Sequence, residues 1–126
     1  MYQNRYTPVH QVPPTLAVRF YKNVGGHEPV AELLRGMDRA TRQAIGADIK
    51  TVEIGWPLGM PLVRKLDAGL WEVRSHMPDG IARVFFTTVD TTMVLLHAII
   101  KKSDKTPGSD LAIAKTRRDE VKHANR

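Results

Sequence analysis

The sequence predicts an α+β domain, with helices against one face of a mostly antiparallel sheet, and three observations predict it. "LAVRFYK" (16–22) alternates like a strand, and two helix-patterned stretches follow it between residues 29 and 54. Three strand-like runs, at 69–76, 81–89 and 92–101, are joined by turns too short for crossovers. An amphipathic stretch begins at about Pro107.

Each element has its own signal. Leu16, Val18 and Phe20 alternate with Arg19 and Tyr21, as a half-buried strand requires, and Gly25-Gly26 breaks the chain after it. Pro29 suits a first helical position, and Val30, Leu33, Leu34 and Met37 follow helical spacing. Gly36 is expected to end that helix in a left-handed cap, and Asp38 to cap the next. The second helix carries Ile45, Ile49 and Val52 on one stripe and stops at Gly55. After "WPLGMPLV", strands dominate: "GLWEVRSH", a turn at "MPDG", "IARVFFTTV", a tight turn at Asp90-Thr91, and "TMVLLHAIIK". In the last stretch Leu111, Ala114 and Val121 face inward, while Arg117, Arg118 and Lys122 face out.

With 126 residues the chain suits one domain with a modest core. Residues 1–15, with Pro8, Pro13 and Pro14, read as a mobile or loosely docked arm, and 16–126 as the single folded domain. No apolar run reaches the roughly 18 residues of a membrane span, and "MYQNRYTPVHQVPP" lacks the apolar region of a signal peptide. The absence of cysteine removes disulfides and thiolate metal sites and is compatible with a reducing cytoplasm, the expected location. A formal charge of +6, with the cations gathered in the second half, favours a polyanionic partner.

Strand alternation sorts the charges by side. Glu72, Arg74 and His76 share one side of their strand, opposite Trp71 and Val73; Arg83 sides with Ile81 and Phe85; His97 and Lys101 side with Leu95 and Ile99. Arg74 and Arg83, on neighbouring strands, would form a cationic pair if they point the same way. The same pattern also fits a solvated sheet face with a structural Glu72–Arg74 ion pair, a hydrogen-bonded core histidine at 97 and a solvated "KKSDK" loop. There is no P-loop, no G-x-G-x-x-G, no H-E-x-x-H, no G-x-S-x-G and no metal-ligand spacing among the five histidines, so neither a metal nor a cofactor is expected. What remains is polyanion binding, with general acid–base cleavage and charge stabilisation if the protein is an enzyme.

"LVRKLDAGLWEVRSHMPDGIARVFF" followed by "TMVLLHAIIKKSDKTPGSDLAIAKTR" resembles the RelE/HigB-like toxins of type II toxin–antitoxin systems, in their phage-derived branch. The resemblance spans roughly residues 28–118. It implies an N-terminal helical hairpin packed on a curved, mostly antiparallel sheet with a C-terminal helix. It implies a ribosome-dependent mRNA endoribonuclease in which the RNA's own 2′-hydroxyl attacks the adjacent phosphate without a metal. The implied partners are mRNA on the ribosome and a cognate antitoxin with a helix-turn-helix domain, operator DNA being reached only through the antitoxin complex and no membrane being involved. Carried over by position, Lys65, Arg74, Arg83, Lys101, Lys102 and Lys105 would bind RNA, and Arg74, Arg83, Lys101 and His97 would serve catalysis. Several relatives have a functional tyrosine near the C-terminus; this chain has none after Tyr21, which leaves His97, His76, Lys101 and Glu72 open as proton-moving groups. Two other functions fit the same fold: a gyrase-poison type of toxin that cleaves no RNA, and an inactive phage remnant that still binds antitoxin. Retention of the arginine and lysine positions favours the nuclease.

Overall fold

The computed structural model describes residues 15–102 and 105–125. The arm expected at 1–15 lies, apart from Thr15, outside the described residues. The elements run β1 (Ala17–Phe20), α1 (Pro29–Arg35), α2 (Arg39–Gly55), β2 (Val63–Asp67), β3 (Leu70–Met77), β4 (Gly80–Val89), β5 (Thr92–Lys101) and α3 (Gly108–Ala124). The five strands form one sheet in the order β1-β5-β4-β3-β2. The pairs from β2 to β5 are antiparallel, and β1 lies parallel to β5, with Ala17 opposite Thr92 and Phe20 opposite Leu95. The sheet is therefore mixed.

The expected N-terminal helical hairpin is not what forms. Both helices follow β1 in the chain, and α1 lies over β5 while α2 lies over β3. Each helix buries its stripe against strands: Val30 from α1, and Ile45, Ile49 and Val52 from α2, join Val73, Val84, Phe86, Met93 and Leu95 in one core. Trp56 closes its edge, 5.0 Å from Trp71 and 5.4 Å from Phe86 in edge-on geometry. Asp38 caps α2 by accepting from the Thr41 N–H at 3.2 Å, and hydrogen bonding to the Thr41 side chain and backbone holds its carboxyl below the ordinary range. Gly36 is not left-handed. At φ −80° and ψ −8° it continues the right-handed turn, its N–H shared between the Glu32 and Leu33 carbonyls.

Helix α3 occupies the other face. Ala114 and Val121 pack on Leu70, Phe85, Val94 and Leu96 in a second core, so that face is not left open as the sequence suggested. Arg117 and Arg118 do not simply face solvent either. Arg117 donates from Nη1 to the Leu96 carbonyl at 2.8 Å and lies over the Tyr21 ring; Arg118 donates to Asp67 at 2.6 Å and to the Ala68 carbonyl at 2.7 Å. They pin α3 to the sheet and to the β2–β3 turn. The Arg118–Asp67 hydrogen bond lowers the Asp67 pKa and raises that of Arg118.

One irregularity decides which side chains meet α3. Phe85 pairs with His97 but Phe86 pairs with Leu95, so Leu96 is an extra residue in β5. Val94 and Leu96 reach the α3 face, and past the bulge so do His97, Ile99 and Lys101. Leu95 belongs to the opposite core. Simple alternation would place it beside His97, and the bulge is why it is not there.

Candidate functional site

The charged part of the α3 face is built by cross-strand register. Arg64 in β2 is opposite Glu72 in β3; Arg74 in β3 is opposite Arg83 in β4; Phe85 in β4 is opposite His97 in β5. Two arginines directly opposite each other repel unless a counter-charge lies between them. Glu72, one pleat away on the same side, is that counter-charge. Its Oε2 accepts from Arg83 Nη1 at 2.9 Å and lies 3.4 Å from Arg64 Nε and 3.8 Å from Arg74 Nε. Its Oε1 accepts from the Thr106 hydroxyl at 2.9 Å, and that hydroxyl in turn accepts from Arg64 Nη2 at 3.5 Å. One carboxylate thus faces three guanidiniums, and the group keeps a formal surplus of two positive charges.

Burial divides the three arginines. Arg83 and Glu72 are both 0% exposed. The side chain of Arg74 is 11% exposed and that of Arg64 35%. Arg83 is thus no open partner of a cationic pair with Arg74 but the inner half of a buried ion pair. Burying a charge is tolerated only with a partner and good hydrogen bonds, which Glu72 supplies. Arg74, by contrast, keeps unspent hydrogen-bonding capacity. Its Nε is buried without a hydrogen-bond partner among the described residues, and its Nη1 has a weak 3.9 Å contact to Met60 Sδ.

His97 lies beside this network. Its ring stacks on Phe85 with centroids 5.6 Å apart, and its Nε2 is 2.8 Å from Asp110 Oδ1 in the first turn of α3. A carboxylate only accepts, so Nε2 donates there, and it is the neutral form of the ring that offers Nδ1 as an acceptor. Both side chains are mostly covered, at 16% and 17% exposed.

The other expected residues separate. Lys101 and Lys102 are exposed where β5 leaves the sheet, Lys101 opposite Ile81 on the face that carries Arg83. Lys105 is exposed just before Thr106. Lys65 does not join them: it is opposite Trp71 and so points to the α2 side of the sheet. Exposed His76 borders a shallow cleft with Asp48, Pro61, Leu62 and Arg74. Sequence reasoning misses two participants. Arg64 sits in an edge strand whose first residue, Val63, reads as loop, and Thr106 looks like loop filler. The one local signal for Arg64 is its place two residues ahead of Leu66 in a strand-like "VRKLD".

Among the described residues no three His, Cys, Asp or Glu side chains converge as a metal site, and no helix is long and apolar enough to cross a membrane. Residues 32–119 match the sequence profile of the phage-derived Gp49-like proteins (DUF891), a span that contains α2, β2 through β5 and every residue of the charged network. No curated protein matches the chain.

Proposed function

Because the chain belongs to the phage-derived Gp49-like family, we propose that it is the toxin of a type II toxin–antitoxin pair and that it cleaves mRNA on the ribosome. The observation that carries this reading is the surplus of guanidinium charge around Glu72, next to the His97–Asp110 pair. A phosphodiester carries one negative charge, and the phosphorane formed from it carries two. Fixed cations aimed at that site favour the second state over the first. In the proposed reaction the 2′-oxygen bonds to phosphorus and the bond from phosphorus to the 5′-oxygen breaks. His97 takes the 2′-hydroxyl proton at Nδ1, Asp110 holds the ring in the required tautomer, and water supplies the proton that the departing 5′-oxygen takes up, His97 returning its own to solvent. The partners are mRNA on the ribosome and an antitoxin whose helix-turn-helix domain carries the pair to operator DNA.

The test is induced expression with mapping of RNA 5′ ends. Growth arrest with new ends bearing 5′-hydroxyl groups, which polynucleotide kinase labels without phosphatase treatment, is the expected result. Ends bearing 5′-phosphate would sink the 2′-hydroxyl mechanism, and arrest without any RNA cleavage would favour a toxin of the gyrase-poison type. The complete burial of Arg83 favours one other reading, in which the network is structural and the chain is an inactive remnant that binds antitoxin; absence of arrest with retained antitoxin binding would select it.

A further inference from the structure

The arginine that the register of the long strands favours most, Arg83, is committed inward, while the most accessible guanidinium of the network belongs to a residue in the short edge strand. Arg64 is about one-third exposed, and its contacts use only part of its fork: Nε faces Glu72 and Nη2 donates to Thr106. Among the described residues Nη1 has no hydrogen-bond partner. Arg74 reaches the same Glu72 oxygen from the neighbouring strand, with its Nε likewise lacking a hydrogen bond. Two planar guanidiniums converge on one point with donor positions to spare.

We infer that Arg64 and Arg74 form a two-arginine clamp for a backbone phosphate of single-stranded RNA, with Arg83 as the fixed counter-charge of Glu72 and Thr106 as the residue that aims Arg64. This assignment rests on the RNA-cleaving reading above and adds to it which cations touch the substrate. Guanidinium forks match the paired oxygens of a phosphate, which an ammonium cannot do. The Glu72 carboxylate holds the clamp in place while it is empty, so the two arginines need not be collected from solvent when RNA arrives. Thr106 fixes one end of Arg64 through its hydroxyl and is itself held by Glu72. It is a positioning residue, since it acts through Arg64.

The experiment uses the purified full chain and a fluorescent single-stranded RNA oligonucleotide, titrated at several salt concentrations, with cleavage on programmed ribosomes as a second readout. Removing one cation from a phosphate should reduce the slope of log K against log salt by about 0.7. Arg64→Ala and Arg74→Ala should each show that reduction and cleave on the order of 10²-fold more slowly, with the thermal midpoint unchanged for Arg64→Ala. Arg64→Lys should restore the slope but not the rate, because it returns the charge without the fork. Thr106→Val should keep the slope and lower the rate. An Arg64→Ala protein with wild-type slope and wild-type cleavage overturns the clamp. If wild type binds RNA but does not cleave it, the nuclease reading fails while the slopes still decide the clamp, and a wild type that does neither overturns both.

Discussion

Beneath α1 and α2 the sheet is filled with carbon: Val73, Val84, Phe86, Met93 and Leu95 meet Val30, Ile45, Ile49 and Val52, and the aromatic rings of Trp56 and Trp71 close the edge. The other face, made from the alternate residues of the same strands, is divided. Where α3 lies on it, Leu70, Phe85, Val94 and Leu96 form a small core; past the start of α3, the positions that a core would fill with carbon hold Glu72, Arg74 and Arg83. The apolar face gains stability from every residue it buries. The charged half is different, because desolvation of a buried pair cancels most of its attraction and leaves its net contribution near zero. The two halves of that face therefore contribute unequally to stability, although both are covered.

Removing one charge from the buried pair should have the largest effect. Glu72→Ala should destabilise the protein by about 3–5 kcal/mol, the cost of breaking a buried pair. That matches the roughly 3–5 kcal/mol expected for Phe86→Ala on the carbon-filled face, both read by urea denaturation. Arg83→Ala should fall at the lower end of the same range, because Glu72 still has Arg64 and Arg74 beside it.

Replacing both partners with carbon sharpens the contrast. Glu72→Leu combined with Arg83→Met should recover most of the stability that either single truncation removes, as apolar replacement of a buried pair does. It should still abolish growth arrest. A double variant as unstable as Glu72→Ala would mean that the pair stabilises the fold outright.

A smaller effect concerns the pin that holds α3 to the β2–β3 turn. Arg118 holds the Asp67 carboxyl below its ordinary range, so the folded state binds that proton later than the unfolded chain as pH falls. Stability from this pair is complete above the ordinary aspartate range and drains away as pH falls from there through the depressed folded value. Asp67→Asn should flatten that acid limb of the thermal midpoint against pH and leave the neutral-pH limb parallel to wild type.

The smallest effect should come from Lys65, next in sequence to Arg64 but on the α2 side of the sheet. Lys65→Ala should change stability by less than about 0.5 kcal/mol and leave the salt slope of RNA binding as it is. A reduction of slope equal to that of Arg64→Ala would show that RNA crosses the sheet edge.

Much of this is legible in the sequence, for physical reasons. The strands at 69–76, 81–89 and 92–101, the Pro29 start and the Asp38 cap are written in local periodicity and turn chemistry, which act over a few residues. The sharing of one side by Arg74 and Arg83 is legible too, because alternation is geometric. Alternation reports a side, however, and not what covers it, so the burial of Arg83 is invisible there. The bulge at Leu96 leaves no mark, since "LLHAII" alternates no differently with an extra residue in it. Thr106 enters the network only because the chain after β5 folds back over the sheet, a tertiary event with no local signal. The parallel pairing of β1 is hidden for the same reason.

That parallel strand has a consequence in time. β1 is an edge strand whose one neighbour is β5, so Ala17 cannot settle until Thr92 has been made. Between them the chain must place two helices and three strands, and closing so long a loop is slow compared with zipping the hairpins from β2 to β5. The meander that carries Glu72, Arg74, Arg83 and His97 can therefore assemble early from near neighbours. The strip formed by Leu16, Val18 and Phe20, which joins the core under the helices, is expected to dock last. During that interval the outer edge of β5 is an unpaired template, and the interval is when a newly made chain is most exposed to strand exchange with another copy of itself.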